Sequence, residues 1–134
     1  MSKAETRTLQ KGRPLSPHLQ VWRWHVTMAT SILHRMTGVA LYAGAVGLAA
    51  WLIAGAVSAE AFGYAELAIR SIPGQMVMFA LLFSLTYHTM NGIRHLTWDA
   101  GKGLDVKSAN ASGWLAIIVS FIVPVILFVV AALV

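Results

Sequence analysis

Three long apolar blocks divide this chain, with polar or glycine-rich segments between them. The blocks run over about residues 29–57, 73–97 and 112–134. Each block has at least about the 20 residues that a helix needs to cross roughly 30 Å of hydrocarbon at about 1.5 Å per residue. The pattern therefore predicts an all-α integral membrane protein with three transmembrane helices that together form one membrane domain.

The remaining segments have the character of tails and connections. Residues 1–28 begin polar and basic, which predicts an aqueous amino-terminal segment. Residues 58–72 contain two glutamates and one arginine and predict a short connection, and the Pro73-Gly74 pair after it is typical of a turn followed by a helix start. Residues 99–107 are rich in glycine and charge, as expected of a loop between membrane helices.

Composition supports a membrane protein and narrows the possible cofactors. The chain is 57% hydrophobic and only 11% charged, whereas soluble domains have about a quarter charged residues. Cysteine is absent, so the chain cannot hold an iron–sulfur cluster or a covalently attached c-type haem. The net charge of +5 comes from scattered basic residues and not from a basic stripe with interleaved aromatics, so we expect a lipid bilayer and no nucleic acid as a partner.

Basic residues near the ends of the blocks predict the orientation, because they resist translocation across a membrane. The amino-terminal segment and the second loop region are basic, whereas the first connection has only Arg70. The basic residues counted with the tail and the second loop are Lys3, Arg7, Lys11, Arg13, Arg23, Arg94, Lys102 and Lys107. We therefore expect a cytoplasmic amino terminus and a periplasmic carboxyl terminus in a bacterial inner membrane, with the mitochondrial inner membrane as the alternative.

One polar cluster lies in the first block. Ser31, His34, Arg35 and Gly38 are spaced i, i+3, i+4 and i+7, which places them on one helix face. An arginine inside a span costs about 2.5 to 3.5 kcal/mol and is usually paired or turned toward a polar cavity. The cluster therefore favours a polar site, while snorkelling of Arg35 to lipid phosphate is the simpler alternative.

A second polar stripe lies in the second block, where Gly92 and His95 follow His88 at i+4 and i+7. The glycine leaves room for a flat group beside the helix, so His88 is a candidate metal ligand, although a neighbour could equally satisfy its ring. His88 and His95 lie about 10 Å apart on one side of a helix and cannot bind one haem iron from opposite faces. A second ligand must then come from another helix, for which His34 is a poor candidate if it is engaged with Arg35. His95, next to Arg94 near the end of the span, could contact a haem propionate or could be solvated at the membrane surface.

No hydrolytic chemistry is visible in the sequence. There is no nucleophile with an adjacent base, and all five acidic residues lie at or outside the ends of the blocks. We therefore predict no catalytic residue. A small transporter or assembly protein could also carry an arginine and histidines in its membrane helices, but it would show no b-type haem absorbance.

Three segments taken together resemble the cytochrome b subunit of succinate dehydrogenase. They are Arg13-Pro-Leu-Ser-Pro-His-Leu19, Ser31-Ile-Leu-His-Arg-Met-Thr-Gly38 and His88-x3-Gly92-x-Arg94-His95-x3-Asp99. The resemblance extends over the whole chain in the number, order and spacing of the blocks. It implies the membrane-anchor subunit of a succinate:quinone oxidoreductase, a complex of the respiratory chain and the tricarboxylic acid cycle, whose anchor does not itself act on succinate.

The resemblance also implies a role for each candidate residue. His88 would be an axial ligand of haem b, with the other ligand from a second small membrane-anchor subunit. Ser31 and Arg35 would line a ubiquinone site, and His34, Arg35 and His95 would lie around the haem propionates. The remaining partners would be an iron–sulfur subunit and a flavoprotein subunit, where succinate is oxidised. A fumarate reductase anchor, with electrons running outward from quinol, is the alternative.

Overall fold

The computed structural model describes residues 23–133. The Arg13–Leu19 motif and most of the predicted amino-terminal segment lie outside the described residues. Within them the chain forms four helices: α1 (Val26–Val57), α2 (Ala59–Arg70), α3 (Ile72–Asp99) and α4 (Val106–Leu133). Helices α1, α3 and α4 are long and apolar enough to cross a membrane. The predicted all-α fold with three spans is thus confirmed, and the membrane-embedded limits 29–57, 73–97 and 112–134 stay predictions.

Helix α2 occupies the segment that the sequence predicted only as a short connection. Its start is capped by Ser58, whose side chain accepts a hydrogen bond from the main-chain N–H of Ala61 at 3.1 Å. Glu60 lies in its first turn and Arg70 in its last, so both charges complement the helix dipole. These local signals explain why the segment is helical.

The junction between α2 and α3 is tight, and three residues within four positions form it. Ser71 caps α3 by accepting a hydrogen bond from the N–H of Gly74 at 3.2 Å, and Pro73 lies in the first turn, where no helical N–H is needed. A Cβ at Gly74 would collide with the main-chain oxygen of Ala68. Glycine at this position therefore lets α3 begin directly against the end of α2.

Helix α3 packs between α1 and α4, and the surfaces that it buries are small or polar. We call this interior the polar seam: Thr30 and Thr37 of α1; Ser84, Tyr87, Asn91 and Arg94 of α3; Ala109, Gly113, Ala116 and Ser120 of α4. Most large apolar side chains instead face outward. This arrangement is typical of membrane helices, because lipid tails are as apolar as leucine and association depends on close packing and hydrogen bonds.

Candidate functional site

Three imidazole rings meet on one side of the α1–α3 contact. The rings of His34 and His88 are stacked, with centroids 4.0 Å apart and an angle of 15° between their planes. The ring of His95 lies 5.3 Å from that of His34, at an angle of 43°. The structure thus brings together the histidines of the two polar stripes, one from α1 and two from α3.

The His88 ring is held through its Nδ1 atom. This nitrogen lies 3.2 Å from the main-chain oxygen of His34 and 3.4 Å from the Thr37 hydroxyl oxygen. The Thr37 hydroxyl donates its own proton within α1, to the main-chain oxygen of Leu33 or His34, both at 2.9 Å. A carbonyl only accepts, and the hydroxyl proton is already used, so the shared proton belongs to Nδ1.

In the neutral form of the ring with this tautomer, the other nitrogen, Nε2 of His88, keeps its lone pair. It makes no hydrogen bond within residues 23–133. A neutral imidazole with a protonated, bonded Nδ1 and an open Nε2 is the usual form of a metal-ligating histidine.

The His88 ring packs closely against α1, whereas the space beside Gly92 on its own helix is open. A Cβ at Gly38 would lie only 3.2 Å from Cε1 of His88, so this glycine lets the ring lie against the backbone of α1. At Gly92, one turn along α3, a Cβ would meet no atom within 4 Å. His34 also has a buried Nδ1 atom without a hydrogen-bond partner. An open ligand nitrogen, open space and an unpaired polar atom beside it fit a haem with an acidic side group.

His34 stays a poor candidate for a second metal ligand beside His88, although the condition considered in the sequence analysis is not met. No hydrogen bond or ion pair joins His34 to Arg35 in residues 23–133. The ring instead lies face to face with His88 at 4.0 Å. Two rings stacked in this way leave no room for a tetrapyrrole between them.

Ser31 and Arg35 lie on the same stretch of α1 but do not join the imidazole cluster directly. Arg35 is exposed and Ser31 is half-buried. Within the described part of the chain, neither side chain makes a hydrogen bond or an ion pair. Their polar atoms are therefore available to a group that binds on the outer face of the three-helix unit, or to lipid headgroups.

Arg94 is a polar residue whose burial was not predicted from the sequence. It was counted with the basic residues of the second loop, yet only 5% of it is exposed. Its guanidinium donates to Thr30, Asn91 and Ser112 side-chain oxygens and to the main-chain oxygen of Ala109, over distances of 2.9 to 3.3 Å. The guanidinium carbon also lies 4.1 Å from the centre of a Trp98 ring. Arg94 thus joins all three spans.

A signal in the sequence could have revealed this role. Ser84, Tyr87, Asn91 and Arg94 recur at i, i+3, i+7 and i+10, which is one helix stripe. This stripe lies beside the one that begins at His88, and burial of Arg94 was not predicted because an arginine near a span end is usually interfacial.

Comparison with known proteins places these features in context. A family model described as the succinate dehydrogenase/fumarate reductase transmembrane subunit matches residues 10–128. The chain is similar to the succinate dehydrogenase cytochrome b556 subunit of Paracoccus denitrificans, with 42% identity over 119 residues, which are 89% of this chain and 92% of that protein. It is also similar to the cytochrome b556 subunit of Rickettsia felis, with 37% identity over 129 residues, 96% of this chain and 100% of that protein. The mitochondrial cytochrome b560 subunit of Sus scrofa is 40% identical over 122 residues, 90% of this chain and 72% of that protein.

Proposed function

Because the chain belongs to the family of succinate dehydrogenase and fumarate reductase transmembrane subunits, we propose that it is the cytochrome b anchor of a succinate dehydrogenase, with one axial ligand of a haem b and part of a ubiquinone site. The relatives named above are succinate dehydrogenase subunits, which favours electron flow from succinate to quinone over the fumarate reductase direction. The observation that carries the proposal is the geometry of His88.

His88 is the proposed axial ligand. Its Nδ1 proton is directed at α1, so Nε2 points its lone pair away from that helix's main chain. The open volume at Gly92 lies one turn further along the same stripe. When bound there, a haem b supplies a one-electron carrier whose potential depends on its axial ligands.

His34 and His95 are proposed to face the haem propionates. The unpaired Nδ1 of His34 is a buried donor or acceptor that lacks a partner in the described chain, and an unpaired buried polar group is costly. A propionate oxygen would satisfy it. The second axial histidine would come from a second small anchor subunit, since His34 is stacked against His88 and His95 lies on the same helix as His88.

Ser31 and Arg35 are proposed to hold the quinone. The two residues are four positions apart, so they share one face of α1. The Ser31 hydroxyl can donate to a quinone carbonyl oxygen, and the Arg35 guanidinium stabilises negative charge that develops on the ring during reduction. Both polar groups lack a partner within residues 23–133. In a site poor in water, such donors are worth more than at an aqueous surface.

The anchor would hold the soluble subunits at the cytoplasmic ends of its spans. The histidine cluster, Ser31 and Arg35 all lie toward the ends of α1 and α3 that meet the amino-terminal segment and the 100–105 loop. Basic residues in these segments favour the cytoplasmic side. Electrons would then enter from an iron–sulfur subunit at this surface, after a flavoprotein subunit has oxidised succinate, and pass to quinone within the membrane.

The test uses the intact complex purified through a tag on this chain. We expect a flavoprotein, an iron–sulfur protein and a second small membrane protein to co-purify. Ser31→Ala and Arg35→Met should lower succinate-dependent quinone reduction by about tenfold or more, with unchanged haem content and unchanged reduction of a soluble artificial acceptor. Equal losses with both acceptors, or no loss with quinone, would contradict the quinone assignment.

A further inference from the structure

One polar side chain of the histidine site contacts the proposed ligand but is not itself placed against the iron or the quinone. It is Thr37 of α1, which contacts Nδ1 of His88. Thr37 is buried, with only 3% of its surface exposed, and its hydroxyl oxygen lies 3.4 Å from the ring nitrogen. The two residues are 51 positions apart, so this contact is made between helices.

The orientation of the Thr37 hydroxyl is fixed by its own helix. The hydroxyl proton is directed at the main-chain oxygens of Leu33 and His34, both 2.9 Å away. The oxygen can therefore only accept from His88. Since Nδ1 also lies 3.2 Å from the His34 main-chain oxygen, its proton is shared between two acceptors of α1.

Three groups of α1 contact the His88 ring, and together we call them the acceptor shelf. The Thr37 hydroxyl and the His34 main-chain oxygen accept from Nδ1, and the Cα of Gly38 lies against the ring. Glycine at position 38 is part of the shelf, because a Cβ there would lie 3.2 Å from Cε1 of His88 and push the ring outward. The shelf holds the ring by its Nδ1 side and leaves Nε2 open.

We infer that Thr37 is a positioning residue for the haem ligand, which fixes the tautomer and tilt of His88 and lowers the reduction potential of the iron that His88 binds. This inference rests on the proposed function. When the Nδ1–H group of an imidazole donates a hydrogen bond to an acceptor, its Nε2 atom gives more electron density to a bound metal. A ligand that gives more electron density stabilises the oxidised iron. Loss of the Thr37 acceptor therefore raises the midpoint potential.

The experiment compares Thr37→Val with Thr37→Ser in the intact complex, by haem quantification and by a potentiometric titration of the haem spectrum. Valine keeps the branched shape without the acceptor, whereas serine keeps the hydroxyl. With the His34 oxygen still present, one weakened hydrogen bond should raise the ratio of reduced to oxidised haem at a fixed potential by about two- to tenfold in Thr37→Val. Thr37→Ser should titrate like the unsubstituted complex.

Each outcome decides the inference. It holds if Thr37→Val shifts the potential upward, or loses haem, while Thr37→Ser keeps both haem and potential. It is overturned if Thr37→Val titrates like the unsubstituted complex, if its potential falls, or if the serine and valine variants are altered alike, since shape and not the hydroxyl would then matter. Absence of haem from the unsubstituted complex would instead overturn the proposed function.

Discussion

The imidazole of His34 lies flat against that of His88, 4.0 Å away between centroids and within 15° of parallel. This stacking places two histidines of the candidate site in different surroundings. One ring has its Nδ1 bonded and its Nε2 open, and the other has an unpaired, buried Nδ1. This difference supports the proposed roles of His88 as the haem ligand and of His34 as a contact of a haem propionate.

Replacement of His34 tests this division directly. His34→Leu should keep the low-spin spectrum of a haem with two imidazole ligands, because the substituted ring does not bind the iron. Haem affinity should fall by at most about 10- to 100-fold, as for other residues that contact a metal ligand or its surroundings. A change to a high-spin spectrum would show that His34 is itself a ligand.

The open space at Gly92 makes a second prediction. Gly92→Leu should lower the haem content of the complex while the three-helix unit stays folded, because a Cβ there meets no atom within 4 Å and the leucine would enter the proposed haem volume. Gly47→Leu is the matched control, since a Cβ at Gly47 also meets no atom within 4 Å. Haem content is measured per mole of complex, and equal content in the two variants would argue against a haem at this side of α3.

The buried guanidinium of Arg94 predicts a stability effect. Arg94→Met removes three hydrogen bonds that join α3 to α1 and α4, and a fourth within α3 to Asn91. At about 0.6 kcal/mol for each hydrogen bond between membrane helices, the loss is about 2 kcal/mol. Thermal denaturation of the complex in detergent should therefore begin at a lower temperature.

Arg70→Met is the control for this prediction. Arg70 is exposed, and within the described residues its side chain pairs only with Glu66, across 2.9 Å on the surface of α2. Such pairs contribute little to stability. Its replacement should leave the denaturation curve close to that of the unsubstituted complex. Identical curves for the Arg94 and Arg70 variants would show that the polar seam does not hold the spans together.

The stability of the first turn of α4 should depend on pH. Hydrogen bonds from Ser108, one of them from its main-chain N–H to an Asp105 carboxylate oxygen at 2.9 Å, hold the pKa of Asp105 below its ordinary value of 3.8. Because the pKa is lowered in the folded protein, this contribution is fully present above pH 3.8 and disappears as the pH falls through the lowered value.

Hydrogen exchange of peptides that cover residues 104–112 measures this effect. Asp105→Ala should remove most of the difference in protection between mildly acidic and strongly acidic solution, whereas the unsubstituted complex should lose protection only below pH 3.8. If both proteins lose protection over the same pH range, Asp105 does not stabilise the first turn of α4.

Much of this architecture could be predicted from periodicity alone. The three spans follow from the lengths of the apolar blocks, and the two polar stripes follow from the residue spacing along α1 and α3, but the meeting of His34, His88 and His95 does not. Helix α2 was missed because its short amphipathic sequence was interpreted as a connection, although Ser58 and Glu60 are ordinary helix-start signals.

The contacts between distant segments could not be predicted in the same way. Arg94 bonds to residues 15, 18 and 64 positions away, and Thr37 reaches His88 from another helix. Nothing in the local sequence says which face of α1 meets which face of α3. These pairings depend on how the helices pack, which the structure supplies.

The most direct test of the central claim is the reduced-minus-oxidised spectrum of the purified complex with His88→Ala, compared with His95→Ala. The two residues lie on the same stripe of α3, but only His88 is held by α1 with its Nε2 open. We expect His88→Ala to lose or strongly alter the b-type haem band and His95→Ala to keep it. An unchanged haem band and midpoint potential in His88→Ala would show that His88 does not bind the haem iron.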